Sequence, residues 1–309
     1  MTGSAPRVLV TGAGGLVGRH VLAPLIGLGF EVHATARRPP AGMPDVRWHA
    51  ANLLDAAGRD AVIAAARPSH LLHLAWATGT GSVWQDPANR DWAAASLDLA
   101  VRFAAAGGRR WVGVGTCAEY DWSAEALATP CREAATPCRP RSLYGQKKLY
   151  HFQSIKDQFS SSSITFAWAR LFHLFGPGDD PRRLVPYVIC ELAGGRWADC
   201  TDGTQLRDLL YAGDAGEGLA RLLASDVDGA INLGSGRPVR LADAVREIGR
   251  QMGRPELIRL GARPPSPEDP AVLLPDLTRQ TRELGWTAPT GLAQGIALTR
   301  AWWENIGLK

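Results

Sequence analysis

The stretch Thr11-Gly12-Ala13-Gly14-Gly15-Leu16-Val17-Gly18 limits the folds open to this chain more than any other feature, because of what flanks it. Residues 7–11 are a short apolar run, residues 15–28 have helical length, and residues 31–35 are a second strand-like run. Strand, glycine turn, helix and strand in that order make a β-α-β unit, so the chain opens on a parallel sheet. In such a unit Gly12, Gly14, Gly15 and Gly18, with Leu16 and Val17 between them, permit a tight turn. They also let the backbone approach a pyrophosphate at the positive end of the helix. The glycine spacing alone says little: 34 glycines in 309 residues would produce about 0.4 such triples by chance. The flanking strand and helix supply the specificity, against the plainer alternative of a flexible connecting loop.

The alternation continues. Strand-like runs at 46–50, 70–74, 110–115 and 164–171 interleave with helical stretches at 55–66, 90–106 and 143–159. This is the pattern of an α/β fold with a doubly wound parallel sheet of the Rossmann type. The serines at 160–163 read as a solvated connector. Beyond the turn Gly176-Pro177-Gly178 the elements shorten and residues 262–275 are dense in proline, which predicts a smaller, mixed and irregular C-terminal substrate domain. The expected division is residues 1–170 with 205–233 for the dinucleotide and 171–204 with 234–309 for the substrate.

Composition is consistent with an enzyme: 46% hydrophobic and 21% charged residues are ordinary for a globular protein large enough to bury an ample core. The net charge of +4 is scattered, so neither a nucleic-acid nor a membrane surface is expected. After Arg7 only Val8, Leu9 and Val10 form a continuous apolar stretch, too short for a secretory signal, and no run reaches membrane-spanning length. Five cysteines, an odd number without C-x-x-C spacing, fit free thiols in a reducing compartment better than disulfides or zinc. A cytoplasmic protein without a metal is the expectation.

Where the second strand ends, an acidic side chain would hold the ribose 2′-hydroxyl of NAD. This chain has Ala36-Arg37-Arg38 instead, and arginine pairs with a 2′-phosphate, so NADP(H) is favoured and NAD(H) remains possible. Two surface arginines opening a proline-rich loop are the alternative. After the third strand, Asn52 and Leu53 are placed for the adenine side, while Asp55 serves either there or as a helix N-cap.

Tyr144-Gly145-Gln146-Lys147-Lys148 places a tyrosine and a lysine one turn apart on a helix face. With five tyrosines and four lysines in the chain, about 0.06 such pairs are expected by chance. A phenol with a pKa near 10 is a poor base at neutral pH, and bringing it near 7 takes about 4 kcal/mol of differential stabilisation. Lys148 and an oxidised nicotinamide could supply it, and Lys148 could also hold the nicotinamide ribose. Thr116, at the end of the run 110–115, would hold the substrate oxygen in line with Tyr144. A strand-terminal turn residue is the simpler reading of that threonine.

These residues resemble the extended branch of the short-chain dehydrogenase/reductases, the NAD-dependent epimerase/dehydratase family acting mostly on nucleotide sugars. The likeness spans nearly the whole chain: His73-Leu74-Ala75, Gly115-Thr116-Cys117-Ala118-Glu119-Tyr120, Arg170 to Gly178, Arg207-Asp208-Leu209-Leu210-Tyr211 with Asp214, Ile231 to Gly236, and Leu284-Gly285-Trp286. The resemblance implies that Leu74, Ala75 and Trp76 lie on the cofactor side. It implies that Arg207 binds a nucleotide diphosphate, with Arg182 and Arg183 as weaker candidates, and that Thr116 and Cys117 lie near the substrate.

Two departures stand out. His173 occupies a position where the family usually has asparagine near the sugar diphosphate. Cys117 and Ala118 stand where the family's dehydratases carry an Asp-Glu pair, and Glu119 lies one residue beyond, which removes the acid and base of elimination. A Cys/His pair serves 3,5-epimerisation in relatives, but Cys117 is out of register for it. Trp76, Trp84 and Trp122 follow strand ends and could stack on sugar or base, or simply pack.

The expected activity is NADPH-dependent reduction of a nucleotide-linked 4-keto (deoxy)sugar, with Thr116, Tyr144 and Lys148 catalytic. The rival is a nucleotide-sugar 4-epimerase retaining NAD(P). A dinucleotide sensor without catalysis and a reductase of non-sugar ketones are further alternatives. The resemblance also implies a homodimer formed through the helices at 90–106 and 143–159. Phe152, Ile155 and Phe159 could line that interface or pack on their own sheet.

Overall fold

The computed structural model describes residues 5–40, 43, 45–77 and 83–307. Its first half alternates as β1 (Arg7–Thr11), α1 (Gly18–Gly27), β2 (Glu31–Ala36), β3 (Val46–Ala50), α2 (Ala56–Ala66), β4 (His70–His73), α3 (Ala88–Ala105), β5 (Arg110–Thr116), α4 (Leu143–Phe159) and β6 (Thr165–Leu171). The second half runs through β7 (His173–Phe175), α5 (Leu184–Ala193), β8 (Ala198–Asp199), β9 (Leu206–Tyr211), α6 (Ala212–Ala224) and β10 (Gly229–Leu233). It ends with β11 (Pro238–Arg240), α7 (Leu241–Met252), β12 (Ile258–Arg259), β13 (Val272–Leu273), α8 (Thr278–Arg282) and α9 (Leu292–Asn305).

Seven strands form one parallel sheet in the order β10-β6-β5-β4-β1-β2-β3. Chain order reverses between β1 and β4, and the crevice beyond the carboxyl ends of such a pair is where doubly wound sheets take ligands. Both faces are covered, so the strands are apolar along their length. Val8 and Val10 of β1 point to a core shared with Val21, Leu22 and Leu25 of α1 and with Leu219, Leu222 and Leu223 of α6. Leu9 points the other way, toward Val62 and Ile63 of α2, Leu99 and Phe103 of α3, and Ile155 and Phe159 of α4. Each such fully buried side chain contributes about 1.5–3 kcal/mol.

Phe152 and Phe159 thus face their own sheet, with ring centroids 5.9 Å from Phe166 and 5.9 Å from Trp111 respectively. A second, smaller sheet joins β11, β9 and β13, with β7 beside β9. Segment 205–233 connects the two sheets, because β9 pairs in the small one while α6 and β10 return to the large one.

The irregular last third expected from sequence is more helical than that. α5, α7 and α9 have 10, 12 and 14 residues and share a core including Val188, Ile189, Val245, Ile248, Ile296 and Trp303. Turns and prolines between them masked an ordinary helical spacing such as Ala244, Val245, Ile248 and Gly249 in α7. The five cysteines are free thiols. No described helix is long and apolar enough to cross a membrane.

Candidate active site

The carboxyl ends of β1 and β4 are tied together by one hydroxyl. Thr11 Oγ1 accepts hydrogen bonds from the backbone N–H groups of Leu74 and Ala75, both at 3.2 Å, and lies 2.8 Å from His73 Nδ1. His73 reaches Ser96 of α3 through its other nitrogen at 2.8 Å, and burial holds its imidazole neutral, down to about 3. Gly12 has φ +67°, and a Cβ there would sit 2.7 Å from the Ala75 nitrogen. A Cβ on Gly18 would meet the Gly12 carbonyl at 2.2 Å. These two glycines serve the fold's own packing. Gly14 is different, since a Cβ there would touch only the Ala36 Cβ, at 3.8 Å. The loop is therefore uncrowded by protein at Gly14, and α1 begins with neither a side-chain cap nor an acidic residue in its first turn. An open glycine face leading to an uncapped, acid-free helix end fits a dinucleotide pyrophosphate.

Arg37 and Arg38 follow β2, exposed and without an ion-pair partner among the described residues. Asn52 donates to Asp55 Oδ2 at 2.9 Å and accepts from Leu54 N. Asp55 stands at the N-cap position of α2 but makes no capping bond, so its carboxylate serves Asn52 instead. Leu53 is buried in the core, and Arg59 holds its carbonyl at 2.7 Å.

Thr116 ends β5 and Tyr144 and Lys148 share a face of α4, a helix started by Ser142, whose hydroxyl accepts from Gly145 N. Burial pushes the Tyr144 phenol up, so the protein alone keeps it protonated; a hydrogen bond with Thr116 and the charge of Arg183 work in the opposite direction. Acidification of the phenol by Lys148 together with an oxidised nicotinamide is a property of the loaded site and stays a proposal. The Lys148 ammonium donates to the Val114 carbonyl at 2.8 Å and lies 3.9 Å from the centre of the Trp76 ring. Burial brings Lys148 down to about 7, with Glu119 opposing.

Trp76 is buried, donates from Nε1 to Asn89 at 2.7 Å, and lies nearly parallel to His151, with centroids 5.5 Å apart. Neither ring nitrogen of the buried His151 has a hydrogen-bond partner, and burial keeps that ring neutral.

A buried ion pair stands behind Thr116. Glu119 accepts from the Thr116 backbone N–H at 2.8 Å, from Trp168 Nε1 and from Arg170 Nε at 2.8 Å. Arg170 continues to the Tyr120 hydroxyl, which donates to Asn232 at 2.8 Å. Sequence reasoning passed over this network, although Thr116-x-x-Glu119 has capping-box spacing and an arginine inside the apolar strand β6 demands a buried partner.

The substrate-side candidates fall into two groups. The Arg183 guanidinium acts on Tyr144, that of Arg207 on Cys117, and both on His173, so these residues share one neighbourhood. The Cys117 thiol is pushed up to about 12 by burial, which makes it inert as an acid or base near neutrality. His173 is held neutral, down to about 3, by burial and the two arginines, and its Nδ1 is buried without a hydrogen bond. Arg207 is buried and bonded to Asp269 Oδ1 at 2.5 Å and the Pro270 carbonyl at 2.6 Å, both on the proline-rich segment. Arg183 pairs with Asp179 at 3.2 Å. Arg182 is exposed and pairs with its near neighbour Asp180. Asp208 and Asp214 are structural: the first accepts from Ser235 N and Gly236 N, the second from Thr290.

A Rossmann sheet with a glycine turn at its switch point and a Thr/Tyr/Lys set beyond β5 defines an enzyme of the extended short-chain dehydrogenase/reductase type. The chain belongs to the NAD dependent epimerase/dehydratase family, whose model matches residues 8–234. UDP-glucose 4-epimerase 4 of Oryza sativa subsp. japonica is 27% identical over 94% of this chain and 88% of its own length. UDP-glucose 4-epimerase of Azospirillum brasilense is 28% identical over 98% and 93%. The structure of MoeE5 in complex with UDP-glucuronic acid and NAD superposes with a TM-score of 0.83 at 26% identity, covering 97% of this chain and 99% of that one.

Proposed function

We propose that this protein is an NADPH-dependent reductase of a nucleotide-linked 4-keto sugar. The observation carrying this reading is the end of β2, where Ala36-Arg37-Arg38 offers two exposed guanidinium groups without an ion-pair partner among the described residues, and no carboxylate of its own. Such an end attracts a 2′-phosphate and so suits the cofactor that serves as an exchangeable reductant. The glycine loop and the Leu74-Ala75-Trp76 segment would hold the dinucleotide, which supplies a hydride to the carbonyl carbon when bound.

Thr116 and Tyr144 would hold the carbonyl oxygen, and the phenol would donate its proton as that oxygen becomes a hydroxyl. A phenol kept protonated by burial is in the form a reduction requires. Lys148, near 7, is suited to share or replace that proton at neutral pH. Arg207, with Arg183 and His173 nearby, is the proposed diphosphate site. In the proposed division of labour, residues 1–170 with 205–233 serve the cofactor and 171–204 with 234–309 the substrate, except that β9, which pairs in the small sheet, brings Arg207 to the substrate side. A homodimer through the solvent faces of α3 and α4 is proposed, where Val101 and Tyr150 are exposed.

A 4-epimerase is the second reading, favoured by the full-length likeness to UDP-glucose 4-epimerases and by the NAD in the MoeE5 complex. Purified protein should oxidise NADPH in the presence of UDP- or dTDP-linked 4-keto hexoses. Release of stoichiometric NAD on denaturation, with no NADPH consumed by any of those sugars, would reject the reductase in favour of the epimerase.

A further inference from the structure

One indole lies against the Tyr144 ring and a second lies against the first. Trp84, on the short turn Val83–Gln85, has its ring centroid 5.9 Å from that of Tyr144 and nearly perpendicular to it, at 84°. The same indole meets Trp122 at 5.9 Å and 74°. Trp122 follows the turn capped by Thr116 and is anchored there, its Nε1 donating to the Cys117 carbonyl at 3.0 Å. Trp76, Trp111, Trp168, Trp286 and Trp303 are buried, whereas Trp84 leaves 43% of its surface uncovered. An exposed indole is unfavourable in water, and this one lies beside the group proposed to protonate the substrate.

We propose that Trp84 and Trp122 form a sugar-stacking wall that selects neutral hexoses over hexuronates. A sugar whose reacting oxygen faces Tyr144 and Thr116 brings its ring alongside these indoles. There its C–H face covers Trp84 and displaces water from both surfaces. The wall carries no charge of its own: Trp122 Nε1 is committed to the Cys117 carbonyl, which leaves the Trp84 indole N–H as its single polar donor. Arg183, whose charge reaches Tyr144, is engaged by Asp179 and the Leu174 carbonyl. A carboxylate laid against these two aromatic faces would lose its hydration without gaining a charged partner from the wall itself. The inference rests on the nucleotide-sugar reading of the site and adds what that reading leaves open, the character of the sugar.

Calorimetric titration of the full chain with UDP, dTDP, UDP-glucose, dTDP-glucose and UDP-glucuronic acid tests it. The wild type is expected to bind a glucose conjugate about fivefold or more tighter than the bare nucleotide, and about tenfold tighter than UDP-glucuronic acid. Trp84→Ala should erase the glucose increment and leave the affinity for bare nucleotide unchanged. Saturation-transfer NMR on the wild type, which needs no variant to fold, should show stronger transfer to the glucose ring protons than to the ribose protons. Equal binding of glucose and glucuronate conjugates, an undiminished increment in Trp84→Ala, or weak transfer to the glucose protons overturns the wall alone. A wild type that binds no nucleotide and no conjugate overturns the nucleotide-sugar reading with it.

Discussion

Lys148 carries its ammonium 3.9 Å from the centre of the Trp76 indole, and Trp76 is itself held by the 2.7 Å bond to Asn89. Among the described residues no carboxylate forms an ion pair with the ammonium; its direct partners are a backbone carbonyl and an aromatic face. A desolvated cation–π contact contributes about 2 kcal/mol, enough to decide where a flexible lysine rests. Trp76→Leu should therefore lower keto-sugar turnover about tenfold, with Trp76→Phe recovering most of the loss because a ring is restored. Steady-state kinetics on the two variants decides the matter. Equal damage in both would show that Trp76 acts through bulk packing and does not orient Lys148.

The same surroundings make Lys148 a source of pH-dependent stability. Its folded pKa of about 7 lies below the unfolded value of 10.5, so between these limits the unfolded chain binds the extra proton. The Lys148 contribution is complete above the unfolded pKa and is lost as pH falls toward 7. Other groups, including the buried Cys117 and Tyr144, titrate with opposite sign in the alkaline range. The stability difference between wild type and Lys148→Met isolates the lysine. Urea midpoints should show the variant gaining on the wild type as pH is lowered from about 10 to 7. A constant difference across that range would contradict the assignment.

Glu119 and Arg170 form the buried charge pair behind Thr116. Glu119→Gln preserves shape but leaves the guanidinium without its counter-charge in a dry core, a change that costs about 3–5 kcal/mol when pairs of this kind are broken. Denaturant unfolding should register a loss of that size. A loss below about 1 kcal/mol would mean that water or a neighbour compensates Arg170.

What the sequence disclosed depended on distance along the chain. The glycine turn between β1 and α1 and the Tyr144/Lys148 pair on α4 are local patterns, written within eight and five consecutive residues, and local chemistry specifies them. The alternation of strands and helices likewise identified the doubly wound sheet. The partners that tune the site come from elsewhere: Glu119 and Arg170 are 51 residues apart, Arg207 and Asp269 are 62 apart, and Trp76 meets α4 only because β4 lies beside β5. Strand order brings them together, and spacing in the sequence does not encode it. The phenol illustrates the consequence, since its lysine neighbour was evident but the extent of its burial was not.

The glycine loop offers a test that separates folding from ligand binding. Gly12 combines a left-handed φ of +67° with a Cβ position 2.7 Å from the backbone of Ala75, so Gly12→Ala meets both backbone strain and a clash with atoms that cannot move freely. A loss of about 2 kcal/mol or more is expected in denaturant unfolding. Gly14 has ordinary φ and only the Ala36 methyl within reach, at 3.8 Å, so Gly14→Ala should fold with wild-type stability. If the open face at Gly14 receives a pyrophosphate, the added methyl stands where phosphate oxygens must approach. NADPH affinity should then fall about tenfold or more. Fluorescence titration with NADPH alongside unfolding curves reads both effects. Unchanged cofactor affinity in a well-folded Gly14→Ala variant would show that the loop merely connects strand to helix.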